Sequence, residues 1–396
     1  MNRRHFLSLA SATPLFVPPW AIGLHASTGA HLQPPPLLVL VYLKGGNDAY
    51  NTFVPLADTL YRKLRPNIGI HRDQLVPFSA SHGFNPALKP LLPLWENKEM
   101  ALLQGIGQQA VTNQHYRDLE TQFTAASPDQ YYADGWVTRA LSANVANSKP
   151  STPILDALAF GDLDIREADP MGPFRGDKIR VINMQHPSEW LIGQKVIGTQ
   201  HLESTPARAL AGTYAQSERI TLKTVFPANE FGDALKATAQ LAAAGISPQV
   251  VHVSLTAVDD DQHHAFDTHW EQSKYHGPTL TKLADGLAAF RNAMLEIGQW
   301  DRTLLATYDE FGRSPKENDK QGTHHGWGST QIVLGGKVKG GLFGEPMPVV
   351  NVFAIDGPPP VIDYRELYTT IIEQWWRGSA RDVFDRRFKP LDLIRS

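Results

Sequence analysis

Leu37-Leu38-Val39-Leu40-Val41-Tyr42-Leu43 runs directly into Lys44-Gly45-Gly46-Asn47-Asp48. Seven apolar side chains in a row are apolar on both faces, which predicts a central strand of a buried parallel sheet. The polar, glycine-rich exit predicts a functional loop at its carboxyl end. Residues 101–106, 250–257 and 303–307 form further apolar runs of strand length. Between and after them, residues 114–125 read as a helix. Leu280, Leu283, Leu287, Phe290, Met294 and Ile297 recur at helical spacing, predicting a covering helix with one apolar face. Residues 332–336 suggest a short strand and turn, and residues 367–376 a closing helix. Strands alternating with helices predict an α/β fold with a mainly parallel sheet covered on both faces. Residues 150–245 carry no clear pattern and read as peripheral.

Ligands of such sheets bind beyond the carboxyl ends of the strands. Four of the runs lead into polar clusters, containing Asp48, Thr112 with His115, Asp267 with His269, and Glu310. Parallel strands would bring all four to one edge. Asp267-Thr268-His269, Glu310-Phe311-Gly312-Arg313 and Gly322-Thr323-His324-His325-Gly326 concentrate carboxylates and imidazoles in glycine-punctuated loops. That pattern suits a divalent metal, which can polarise an ester oxygen and activate water near neutral pH. Oxygen and nitrogen donors without sulfur favour zinc, manganese or magnesium. His263 and His264 belong either to the site or to a solvated loop.

Bulk properties narrow the alternatives. With 396 residues, 42% of them apolar, the chain can bury a large core. A net charge of −3 gives no basic footprint for nucleic acid. Zero cysteines exclude thiolate ligands, cysteine nucleophiles and disulfides. Arg3-Arg4 precede the apolar stretch 6–24, the order of a twin-arginine export signal read by the export machinery. Pro18-Pro19 argue against a stable membrane span. The expected organisation is a signal peptide over 1–26, a proline-rich spacer over 27–36, and a single domain over 37–396. Its location would be periplasmic or secreted.

Taken together, these motifs resemble the family catalogued as domain of unknown function fifteen-oh-one, placed with the alkaline phosphatase and sulfatase superfamily. The matching pieces are the twin-arginine start, Gly45-Gly46-Asn47-Asp48 with Asn51-Thr52, the His115 segment, Gly135-Trp136, and Asp267-Thr268-His269 with Gln272. Further on come Glu310-Phe311-Gly312-Arg313, Glu317-Asn318, Gly322 to Gly326, Asp363-Tyr364, Trp375 and Leu391-Asp392. The resemblance implies a three-layer αβα, alkaline-phosphatase-like fold, a site for one or two metal ions, and a hydrolase of phosphate or sulfate esters with a small-molecule ester or anionic substrate. It assigns metal binding to Asp48, Asp267, His269, His324 and His325. Glu310 would bind metal, orient a ligand, or pair with Arg313. Catalytic roles fall to Asp48, Thr112, His115 and Arg313. Two positions depart from the pattern: Gln114 stands where a serine precedes the histidine, and His324 where an aspartate precedes His325. Thr112 is then either a nucleophile or a helix cap, and water is the alternative attacking group. The rival reading is a non-catalytic metal-binding or structural protein on the same scaffold.

Overall fold

The computed structural model describes residues 36–108, 110–145, 155–161, 172–184, 220–246, 248–255, 265–351 and 359–396. The expected signal peptide, nearly all of the spacer, and His263 and His264 lie outside the described residues.

The strands, in chain order, are β1 (Leu37–Leu43), β2 (Phe53–Pro55), β3 (Val76–Pro77), β4 (His82–Phe84), β5 (Met100–Gly107), β6 (Ala157–Phe160) and β7 (Val181–Met184). They continue with β8 (Val250–Leu255), β9 (Thr303–Tyr308), β10 (Gly312–Glu317), β11 (Thr323–Gly326), β12 (Gly328–Leu334), β13 (Gly341–Gly344) and β14 (Ile362–Asp363). The helices are α1 (Ala49–Thr52), α2 (Thr59–Leu64), α3 (Leu92–Glu96), α4 (His115–Thr124), α5 (Trp136–Val145), α6 (Glu230–Ala243), α7 (Gln272–Glu296) and α8 (Tyr364–Thr370).

Nine strands form one sheet in the order β13-β5-β12-β9-β1-β8-β6-β7, with β14 beside the end of β5. β1 sits inside it, hydrogen-bonded in parallel to β8 on one side and β9 on the other. All seven of its side chains are buried, as an apolar run on both faces requires. Burying each leucine is worth roughly 1.5–3 kcal/mol. β12 is antiparallel to both β5 and β9, so β5 runs parallel to β9. The carboxyl ends of β1, β5, β8 and β9 therefore share one edge, as expected.

Alternate residues of β1 feed two separate cores. Leu37, Val39, Val41 and Leu43 pack with Phe231 and Leu235 of α6 and Leu280, Leu283, Leu287 and Phe290 of α7. Leu38, Leu40 and Tyr42 pack with Leu119 and Phe123 of α4, Trp136 and Leu141 of α5, and Leu367 of α8. Helices thus cover both faces, giving an α/β fold of three layers. The middle of the chain is less peripheral than its sequence suggests. Within it, β6 and β7 extend the central sheet beyond β8 and α6 covers one face. The two strands are only four residues each, too short to show a period.

Candidate metal centre

The loop leaving β1 turns through Gly45 (φ +105°) and Gly46 (φ +85°). A Cβ on Gly45 would sit 2.4 Å from the Asp267 backbone nitrogen. Only glycine lets the two loops touch, and the contact sets Asp267 against the sheet edge. β10 and β11 then form an antiparallel ribbon with Arg313 directly opposite His325. Directly opposed residues share a face, so these two project together while His324 takes the other side.

Four side chains meet here. Ligand atoms of His115, Asp267, His269 and His325 all lie within 4.8 Å of one another. His115 Nε2 is 3.5 Å, His269 Nε2 3.0 Å and His325 Nε2 3.9 Å from Asp267 Oδ1. The Nε2 atoms of His269 and His325 are 2.9 Å apart.

Two of the imidazoles are held from behind. His115 Nδ1 lies 2.7 Å from Glu310 Oε1, and His325 Nδ1 lies 2.9 Å from the Asn113 carbonyl oxygen. Both acceptors place the proton on Nδ1 and leave Nε2 facing the cluster, which is how ligating histidines are oriented. The Phe311 ring stacks on His325 at 4.2 Å. The backbone N–H of Gly45 donates to both Glu310 oxygens, so the carboxylate is fixed in turn.

Arg313 is wholly buried and aimed inward. It donates to the Gly45 and Gly46 carbonyls and to Asp267 Oδ1, and its Nη1 is 3.5 Å from His269 Nε2. The loop over 318–322 is stitched to the Asp267 loop. Asn318 Nδ2 donates to the His269 carbonyl, and the Thr323 N–H donates to that of Thr268. Gly322 permits this approach, since a Cβ there would lie 2.2 Å from the His269 carbonyl carbon.

The electrostatics follow from this packing. Burial alone would raise Asp267. Hydrogen bonds from His115 and His269, with the Arg313 charge, outweigh it and hold the carboxyl far below the usual carboxylate range. Burial and the Arg313 charge push His325 down to about 3, so its ring is neutral. Burial opposes a charge on His115, but Asp267 and Glu310 overcome it and raise His115 to about 9. The cluster thus offers neutral and anionic donors, with a proton on His115 that a bound cation would displace. Three imidazoles and a carboxylate suit zinc or manganese. Metal–ligand bonds of about 2 Å need donors roughly 3–4 Å apart, which small rotations of these side chains provide.

Other expected site residues are placed differently. Asp48 is fully buried and outside the cluster, paired with Arg65 at 2.5 Å. Glu310 orients His115 and is outside the group of four; Arg313 pairs with Asp267, not with Glu310. His324 is exposed, with its ring 6.3 Å from that of His269. Thr112 is exposed and closes a loop: its N–H and hydroxyl both donate to Asp118 Oδ1, at 2.8 and 3.0 Å. Gln114 precedes α4 without a side-chain capping bond. His115, expected to be catalytic, sits among the ligand candidates. Arg65 carried no signal in the sequence, because its partner lies seventeen residues back with two helices and a strand between. The Asn113 contribution is a backbone carbonyl, which residue identity does not reveal.

Residues 203–374 match the sequence model of a family described as "Protein of unknown function (DUF1501)". No curated protein matches the chain in sequence. Among solved structures, Ps i-CgsB is similar at 11% identity, covering 89% of this chain and 74% of that one with a TM-score of 0.42. The PsFucS1 sulfatase from Pseudoalteromonas sp. is similar at 11% identity, covering 90% and 71%, with a TM-score of 0.41. The phosphonate monoester hydrolase SpPMH from Silicibacter pomeroyi shares 12% identity over 87% and 74%, with a TM-score of 0.40. Among the described residues no helix is long and apolar enough to cross a membrane.

Proposed function

We propose that this chain is a member of the family it matches over 203–374 and an exported, metal-dependent hydrolase of phosphate or sulfate esters. The observation that carries this reading is the convergence of His115, His269 and His325 on Asp267, with His115 and His325 each anchored through Nδ1. A divalent ion bound there would polarise the ester oxygen and bring the pKa of water towards ~7. The protein's part is to hold His115 and His325 in place through Nδ1, to keep Asp267 ionised through Arg313, and to admit substrate where His269 remains 29% exposed. Arg313 has no exposed side-chain surface, so it positions Asp267 and does not touch substrate. Because the Thr112 hydroxyl is bonded to Asp118, water is the proposed attacking group. Export by the twin-arginine route suits a protein that must bind its metal while folding.

The test is metal analysis of the purified protein, followed by assay on a panel of phosphate and sulfate esters before and after chelation. Bound zinc or manganese with chelator-sensitive turnover supports the hydrolase. One observation favours the rival: four protein donors on one ion make a closed, structural site. Tight metal without turnover on the whole panel would select that non-catalytic scaffold. A twin-lysine variant at Arg3 and Arg4 that is still exported would remove the proposed route.

A further inference from the structure

The resemblance assigns metal binding to Asp48, which requires free carboxylate oxygens. The donors around Asp48 do not fit it. Oδ1 accepts from the Tyr50 N–H at 3.1 Å and Arg65 Nη2 at 3.1 Å. Oδ2 accepts from Arg65 Nη1 at 2.5 Å and Gln272 Nε2 at 2.9 Å. A carboxylate offers about four lone-pair sites, and all four are taken.

Arg65 is equally complete. Its Nε donates to the Pro315 carbonyl at 2.8 Å, Nη2 to the Ser314 carbonyl at 2.7 Å, and Nη1 to Asn51 Oδ1 at 2.8 Å, besides the two bonds to Asp48. A guanidinium has five N–H donors, and all five are used. The rings of Tyr50 and Tyr61 lie 5.0 and 5.9 Å from its central carbon. Neither side chain of the pair has any exposed surface. An incoming ion would have to expel a buried guanidinium and leave three acceptors behind.

We infer that the Arg65 guanidinium permanently occupies the place of a second cation, so that Asp48 is closed to metal and the described residues offer ligands for one ion. This rests on the reading of His115, Asp267, His269 and His325 as the ligand set. Arg65 supplies positive charge at Asp48 at every metal concentration, and Gln272 carries the order onward by donating also to Thr268 Oγ1 at 3.0 Å, beside Asp267 and His269. Asp48 is therefore a positioning residue for the metal loop.

The test uses the full mature chain, stripped with chelator and titrated with zinc or manganese alone, with bound metal counted by mass spectrometry. The wild type is expected to hold one ion. Asp48→Asn should keep that ion, with affinity within about tenfold of wild type, the lower end of the effect of positioning residues. Its metal-free melting temperature should fall, and the rise on adding metal should be preserved. Two ions on the wild type would overturn the inference, as would loss of the ion from a folded Asp48→Asn. The wild-type count needs no variant, so it decides even if Asp48→Asn does not fold. No ion on the wild type would sink the hydrolase reading while leaving Asp48 closed to metal, as inferred here.

Discussion

Asp48 and Asp267 leave neighbouring strands of the same sheet, each beside an arginine, yet they are prepared for different work. Asp48 has no exposed surface and four donors around its two oxygens. The Asp267 side chain is 16% exposed, and the contacts from Arg313 and the imidazoles gather on Oδ1 alone. Arg65 encloses its partner, whereas Arg313 has its other donors on the Gly45 and Gly46 carbonyls and steadies Asp267 from one side. A buried carboxylate becomes structure or ligand according to how many of its lone pairs the chain leaves open.

The harshest way to break this comparison is to remove the enclosing cation. Arg65→Ala should cost about 3–5 kcal/mol, the penalty of an unpaired buried charge, as measured by chemical denaturation of the metal-free protein. A loss below about 1 kcal/mol would mean that Asp48 is not held as described.

A third carboxylate sharpens it. Asp309 accepts from the Asn47 N–H and from Ser329, but no arginine or lysine pairs with it among the described contacts. Burial, and after it the Glu310 charge, push Asp309 up to about 7. Its folded pKa exceeds the unfolded value of about 3.9, so the folded state favours the acid. The stability this brings is complete below pH ~4 and is lost as pH rises through about 7. Asp309→Asn should therefore raise stability at pH 8, by at most roughly 4 kcal/mol, and change little at pH 4. Equal melting shifts at both pH values would show that folding leaves the Asp309 pKa where it is in the unfolded chain.

The remaining predictions concern the open cluster. Asp267→Asn keeps an acceptor for Arg313 but removes the anionic donor, and should lower zinc affinity by a hundredfold or more, beyond the roughly 10–100-fold range of outer-shell changes. Glu310→Gln, which loosens the hold on His115, should fall inside that range. Calorimetry of the two variants ranks them, and a larger effect for Glu310→Gln would make Glu310 a direct ligand. His324→Ala should alter affinity by less than about threefold, well under any outer-shell effect. A tenfold loss would bring His324 into the site.

Much of this was legible in the sequence for one reason: parallel strands deliver the loops after β1, β5, β8 and β9 to one edge, so runs and clusters could be paired without knowing the sheet order. Asp267 and His269 were legible on that ground, and His325 through its glycine-flanked motif and the resemblance. Arg65 was not, because a guanidinium closing on a loop across α1, β2 and α2 leaves no local period. His324 rests on the resemblance alone, as the residue at the family's aspartate position, and the strand face that turns it outward is not visible in sequence. β6 and β7 are not legible, because four residues cannot display alternation. The His115 segment is legible, but its place among the ligands depends on Glu310, 195 positions away.

The ribbon of β10 and β11 bears on how far this protein can vary. With His324 and His325 adjacent, a shift of one residue would still present an imidazole to the cluster, so the composition of the site is forgiving of frame error. The backbone is not. Gly312 stands opposite Gly326, and a Cβ at either would come within 1.8 Å of the Gly328 carbonyl oxygen or 2.6 Å of the Arg313 backbone. Any slipped pairing would put a bulkier residue into one of those crossings. A change in the turn over 318–322 that slips this pairing therefore meets steric exclusion at the glycine crossings, long before coordination chemistry has a say.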